Sequence, residues 1–436
     1  MTLPSELIAA FIDELSDDLE TLKRCSLVAS PFCSPSQRHI FRAIWLHRAN
    51  WRHYTVGQQA LHRGITTPAG TYRQAEAILT ESPHLAAYVK DLTIDLPDSA
   101  DEDIPLKHIV DTIVSNGGLD RLVVSGLVVR WGDLTPELAH ALTGAMKNPS
   151  LTHLHLLNLQ DFPQDTVQDA MARLTALSVH STTFSGCKAV GDEDIASGKT
   201  TVDDTRDAAP RSISPIRHLV HGSGLADSYN IFNSPRAPAF VNVAKLFLRV
   251  ASSEIVYAER LLGSVSDTLS DLTLDCGSFS QPIFLPTLPH LRALSLRLFC
   301  GVARRIPHGV FQTLATIPDA VASSTTYYPF DLTLLFAIQT LISENPWAEP
   351  DAPVPTVVTD LLASTNVHSR FQVLFLEGFH TARATAAAAA FSLSLTRDKG
   401  RDRAWEEFSE GMKRIFSGCK VEMEQAEELS YVGRLP

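Results

Sequence analysis

Thr135-Pro136-Glu137-Leu138-Ala139-His140-Ala141-Leu142 and, a few residues on, Asn148-Pro149-Ser150-Leu151-Thr152-His153-Leu154-His155-Leu156 decide the fold. The first half reads as a helix: Thr135 suits the N-cap, Pro136 the first helical position, and Leu138 and Leu142 lie four apart on one face. Asn148-Pro149 stops it. The second half alternates, with Leu154 and Leu156 on one side and His153 and His155 on the other, which is the period of a strand with one buried face. One helix and one strand thus form a unit of about 25 residues, too small to bury its own apolar faces.

Working outward, the unit recurs. Before it, Ile109, Ile113 and Val114 mark a helix stopped by Asn116-Gly117-Gly118 and followed by a strand from Leu119 to Val124. Earlier still, Ala75, Ile78 and Leu79 precede a break at Ser82-Pro83 and the alternating run Val89 to Asp95. After it come Leu174-x-x-Leu177-x-Val179, Val243-x-x-Leu246-x-Leu248, Leu269-x-x-Leu272-x-Leu274, Leu291-x-x-Leu294-x-Leu296 and Phe371-x-x-Leu374-x-Leu376. A closing helix with Trp405, Phe408, Met412, Ile415 and Phe416 leads to Cys419–Met423. The clean steps between central leucines, from 92 to 122, 154 and 177 and from 246 to 272 and 294, are 30, 32, 23, 26 and 22 residues. This spacing and the L-x-x-L-x-L strand resemble an irregular leucine-rich repeat, which implies an α/β solenoid or horseshoe over residues 85–436. The asparagine usual three residues beyond the third leucine is absent, with Leu127, Leu159, Gly277, Phe299 and Phe379 there instead. The alternative is another kind of α/β sheet protein.

If the leucines point into the core, the residues between them face the other side of the sheet. Candidate partner-binding residues on that face are Arg121, His153, His155, Phe247, Arg249, Asp271, Asp275, Arg297, Phe375 and Glu377. Arginines and aromatics there suit a protein partner, because such residues dominate interface energetics; ordinary solvated strand positions would read the same way one by one.

The N-terminus differs from this body. Leu7, Ile8, Phe11, Ile12 and Leu15 fall on one helical face, a second helix runs from Asp17 to about Val28, and Ser34-Pro35 announces a third. Under about 50 residues bury too little surface to stand alone, so part of that apolar face must meet the body or another protein. Leu3-Pro4-x-Glu6-Leu7, Ile12, Leu15, Cys25-Ser26-Leu27-Val28, Phe32 and Arg38-His39-Ile40-Phe41-Arg42 together resemble an F-box over residues 1–46, of the form common in fungal F-box-like proteins. Phe32 stands where tryptophan is usual and Ala29 where cysteine is usual. The resemblance implies that Leu3, Pro4, Leu7, Ile8, Leu15, Leu22, Leu27 and Phe32 contact a Skp-type adaptor of a cullin-based ubiquitin ligase. It also implies that the repeat face receives an unknown protein substrate, making the chain a non-catalytic adaptor subunit. A helical cap on the repeats is the alternative.

Residues 47–84 form a link and first helix, with Trp45, Trp51, Tyr54, His47, His53 and His62 in or beside it. Residues 185–215 are rich in Gly, Ser, Asp and Thr and read as a flexible insertion; Pro346 to Pro355 reads as another loop, and strands between Arg304 and Ser343 are not legible. Across 436 residues, a net charge of -12 argues against nucleic acid as the partner. Cys25, Cys33, Cys187, Cys276, Cys300 and Cys419 form no CxxC pair, which with the absence of an Asn-x-Ser/Thr acceptor, where x is not proline, points to a reducing compartment, cytoplasmic or nuclear. Ala384 to Leu395 is too short to span a membrane. No catalytic, metal-binding or cofactor motif is present, so none of these is expected.

Overall fold

The repeated helix-and-strand pattern becomes a parallel sheet backed by helices. The computed structural model describes residues 4–47, 69–126, 129–185, 213–222, 224–232, 240–276, 281–299, 306, 308–321, 330–339, 354–363, 367–376, 406, 409–414 and 422–425. The readings at Leu3, Trp51 to His62, the bulk of the 185–215 insertion, the Pro346 loop up to residue 353, Glu377, the alanine run, and Trp405, Phe408, Ile415 and Phe416 lie outside them. Two units divide the chain: Met1–Val220 with Ala226–Phe240 and Ser430–Pro436, and His221–Leu225 with Val241–Leu429.

The first unit opens with helices α1 (Ser5–Asp13), α2 (Leu19–Val28) and α3 (Ser30–Ile40). The second helix is capped by Asp18, whose carboxylate accepts from the Thr21 N–H at 3.0 Å. The third starts four residues before Ser34: Ser30-Pro31 is an equally good opening, the extended Ala29 precedes it, and Pro35 lies inside the helix. The sheet strands then follow as β1 (Ala43–His47), β2 (Ala69–Thr71), β3 (Asp91–Asp95), β4 (Arg121–Ser125) and β5 (His153–Leu157). After β5 the chain makes the short strand β6 (Phe162–Pro163), then β7 (Ala176–His180) and β8 (Phe184–Ser185), which pairs with β6 outside the main sheet. Strand β9 (His218–His221) follows β7. Helices α4 (Tyr72–Glu81), α5 (Ala100–Asn116), α6 (Pro136–Met146) and α7 (Gln164–Met171) alternate with the strands. Strand order is β2-β1-β3-β4-β5-β7-β9, and the pairs from β2 through to β7 are parallel. From β3 onward the strands step in one direction; right-handed crossovers of that kind put every helix on the same face. Accordingly α4 packs on α5, α5 on α6 and α6 on α7.

Register follows the sequence pattern here. Ile44, Leu92, Leu122, Leu154 and Leu177 stand opposite one another across β1, β3, β4, β5 and β7. Leu46, Ile94, Val124, Leu156 and Val179 form the next row, and every member of it is fully buried. Each such side chain contributes about 2 kcal/mol on leaving water. Strand entries repeat as well: the Lys90 carbonyl accepts from the N–H groups of Asp120 and Arg121, Asp120 from Thr152 and His153, and Thr152 from Thr175 and Ala176. The hydroxyls of Thr152 and Thr175 add a further donor at 3.1 Å to the Asp120 and Thr152 carbonyls.

At the helix ends the chemistry differs in detail from the simplest reading. Gly117 ends α5 where a Cβ would come within 2.9 Å of the Ala86 carbonyl oxygen. Thr135 does precede α6, yet its side chain makes no cap hydrogen bond; its N–H instead donates to the Asp103 carboxylate at 2.8 Å.

The second unit repeats the scheme with β10 (Lys245–Arg249), β11 (Asp271–Cys276), β12 (Ala293–Phe299), β13 (Phe330–Gln339), β14 (Val367–Leu376) and β15 (Glu422–Gln425), hydrogen-bonded in that order and parallel. Helices α9 (Ile255–Val265), α10 (His308–Val321) and α11 (Thr356–Ala363) lie between its strands, whereas α8 (Leu225–Phe232), which precedes β10 in the chain, belongs to the first unit from Ala226 on. Leu246, Leu272, Leu294 and Leu332 share one row and Leu248, Leu274, Leu296, Leu334 and Phe371 the next, all buried. Ala244 and Ser270 carbonyls accept the same paired N–H groups, from Ser270 and Asp271 and from Arg292 and Ala293.

Two readings need correction here. The illegible stretch 304–343 contains α10 and the ten-residue β13. The unit read at Phe371-x-x-Leu374 is out of step, because Leu332 and Leu334 stand opposite Ser369 and Phe371. Strand β14 starts at Val367, four residues before the motif, so the motif's leucines do not mark the register.

Candidate interaction surfaces

Helix α1 turns 100° per residue, so its apolar positions split into two neighbouring stripes. Ile8 and Ile12 point inward and join Leu22 and Ile40 in a small core, with Leu15, Leu19, Cys25, Phe32 and Phe41 packed around it. Leu7 and Phe11 stay outside at 58% and 55% exposure, and Leu27 and Val28 at the end of α2 reach 86% and 72%. His39 pairs with Asp13 at 2.7 Å, tying α3 to α1. Of the adaptor-contact residues implied by resemblance, then, Leu7, Leu27 and Pro4 are at the surface, Leu15 and Phe32 are partly covered, and Ile8 and Leu22 hold the segment together. Phe11 and Val28 are not among those contacts, although Phe11 follows Leu7 by one helical turn and belongs with it on that ground.

The sheet face opposite the leucines is different in the two units. In the first it is largely covered, with Asp91, Arg121, Val123, His153 and His180 half-buried and the rest of that face in β3, β4, β5 and β7 deeper. Thr93, Asp95, Ser125, His155 and Ser178 are all under 9% exposed, although their alternation with leucine reads as an open face. The expectation that His155 meets a partner directly is therefore corrected: the ring is 1% exposed. Arg121 Nε–H donates to His155 Nε2 at 3.3 Å, which leaves the proton of the neutral ring on Nδ1, and that atom has no hydrogen-bond partner among the described residues. Burial, with Arg121, His180 and His153 adding repulsion, pushes the His155 pKa down to about 3. His153 next to it is half-buried and shares a hydrogen bond with the Thr152 hydroxyl at 2.7 Å. On β1 and β3, Trp45 donates to Asp95 at 3.0 Å, and the Tyr72 hydroxyl donates to the Asp95 carbonyl.

The second unit keeps its face open. Lys245 and Arg249 are exposed, and Phe247, Asp271, Thr273, Ser295 and Arg297 are half-buried. Register lines up Phe247, Thr273 and Ser295 in one row and Arg249, Asp275 and Arg297 in the next. The Arg297 guanidinium carbon lies 5.1 Å from the centre of the Phe247 ring, two strands away, so it reaches across the short Thr273 between them. Asp275 departs from the open-face expectation at 6% exposure, and one of its carboxylate oxygens has no hydrogen-bond partner among the described residues. Burial raises its pKa, with Arg249 and Arg297 pulling the other way. Asp271 accepts from the Ser270 hydroxyl at 2.5 Å. Phe375 stands opposite Ile338 in β14, and Glu377 lies outside the described residues.

Among the described residues no three His, Cys, Asp or Glu side chains group as metal ligands, and no helix is long and apolar enough to cross a membrane. No family model matches the chain, and no curated protein compared with it matches.

Proposed function

We propose that the chain is the substrate-recognition adaptor of a Skp/cullin/F-box ubiquitin ligase, with an F-box-like segment at residues 1–46 and an irregular leucine-rich-repeat body behind it. The observation that carries this reading is the segment's division of labour. Ile8, Ile12, Leu22 and Ile40 supply a core, while Leu7, Phe11, Leu27 and Val28 remain outside it. Large apolar side chains exposed in a segment with so small a core fit a protein partner. The mechanism is proximity: the Skp-type adaptor and cullin hold the ubiquitin-charged enzyme, the sheet face holds the substrate, and the chain itself makes and breaks no bond.

One observation favours a second reading, a non-ligase interaction protein whose helical segment caps the sheet. Helix α3 packs on the 3-10 turn Pro83–Tyr88, and the Ser34 and Tyr88 hydroxyls are 3.1 Å apart. Co-purification with a purified Skp-type adaptor separates the two. The ligase reading expects a complex formed by the intact chain and lost by a Leu7→Ser, Leu27→Ser variant whose circular dichroism is unchanged; both residues are exposed, so the fold tolerates their replacement. No complex with either protein leaves the capping reading.

A further inference from the structure

We infer that the strand face around Phe247, Arg249, Thr273, Asp275, Ser295 and Arg297 is a docking surface for an extended acidic peptide segment carrying Asp or Glu at alternate positions. The inference deepens the substrate half of the reading above and rests on that half alone.

Charge at this face is unequal in depth. Two arginines flank one carboxylate, and the carboxylate is the deepest of the three: Asp275 is 6% exposed, Arg297 half-buried and Arg249 exposed. What a ligand meets first is therefore cationic, on a chain whose net charge is -12. Spacing suits an extended peptide. Arg249 and Arg297 lie two strands apart, about 10 Å at the backbone, and alternate side chains of an extended peptide are about 7 Å apart, a difference that flexible arginine side chains close. The Arg297 guanidinium lies over the Phe247 ring with Nε and Nη1 buried, which leaves Nη2 as the nitrogen a ligand carboxylate approaches.

The adjoining row supplies the rest. Thr273 and Ser295 are short hydroxyl side chains beside the Phe247 ring, giving a low shelf with donors and acceptors for peptide amides and an aromatic surface for an intervening apolar side chain.

The test is fluorescence anisotropy of the whole protein with a short labelled peptide alternating Asp and Ala, beside an equal-length peptide alternating Lys and Ala. Expected are saturable binding of the acidic peptide alone, weakening with added salt, a loss of about tenfold or more in Arg249→Glu and in Arg297→Ala, and binding at least as tight in Asp275→Asn. Arg249 is exposed, so its replacement keeps the fold and serves as the reference should Arg297→Ala unfold. Equal binding of both peptides, acidic binding unchanged in Arg249→Glu, or no saturable acidic binding overturns the inference. Adaptor co-purification of Arg249→Glu reads the helical segment independently, so either conclusion can fail while the other stands.

Discussion

Strands β5 and β10 carry nearly the same message in sequence, His153-Leu154-His155-Leu156 and Lys245-Leu246-Phe247-Leu248, yet one sheet face is largely covered and the other open. Leu154 and Leu246 are buried alike at 0% and 2%, whereas His155 is 1% exposed and Phe247 half-buried. Alternation therefore specifies the side that packs on helices. It does not specify whether the opposite side is covered, and the position between two leucines is buried at His155 and half-buried at Phe247.

The comparison can be broken first where the units should agree. Leu154→Ala and Leu272→Ala each remove a fully buried leucine and should cost about 3 kcal/mol apiece in urea unfolding; a much smaller cost in one unit would mean that its core relaxes around the cavity. Where the units should differ, Ser178→Asp puts an unpaired charge at a 1% exposed position and should destabilise by at least about 2 kcal/mol, whereas Thr273→Asp at the half-buried counterpart should stay within about 0.5 kcal/mol. Equal losses would refute the distinction between a covered and an open face.

Acid sharpens the contrast. His155 has an ordinary value of 6.5 and a folded value of about 3, so between those limits the unfolded chain takes up a proton that the folded chain refuses. Stability must then fall as pH drops below 6.5, by about 2 kcal/mol between pH 7 and pH 5 from this site. Denaturation at the two pH values should show that fall in the intact protein and a reduced one in His155→Leu. The smallest effect belongs to the helical segment: Leu27→Ser, at 86% exposure, should change stability by less than about 0.5 kcal/mol, and a larger loss would place Leu27 in a structural contact.

Much of this arrangement is legible in the spacing of the leucines. The central positions Leu92, Leu122, Leu154 and Leu177 and the series Leu246, Leu272 and Leu294 are register partners, as their spacing implies. Strand β1 is hidden because Ile44-Trp45-Leu46-His47 sits in an aromatic link with no leucine motif, and β13 because Phe330-Asp331-Leu332-Thr333-Leu334 opens with phenylalanine. At the candidate sites, residue types are legible and partners are not. The arginines, histidines and Phe247 can be named from alternation, but the Arg121–His155 bond, the Arg297–Phe247 stack and the depth of Asp275 join strands far apart in the chain.

By itself the sequence determined the α/β character, the inward rows of leucine and the two helical stripes of α1, because each is a local period of 2.0 or 3.6 residues that fixes which side chains share a face. Only the tertiary structure decided which stripe of α1 became core, where β13 and β14 align, and that His155 lies buried while Arg249 faces solvent. Those outcomes depend on what packs against an already formed face, and packing between distant segments leaves no period in the chain that a local pattern can record.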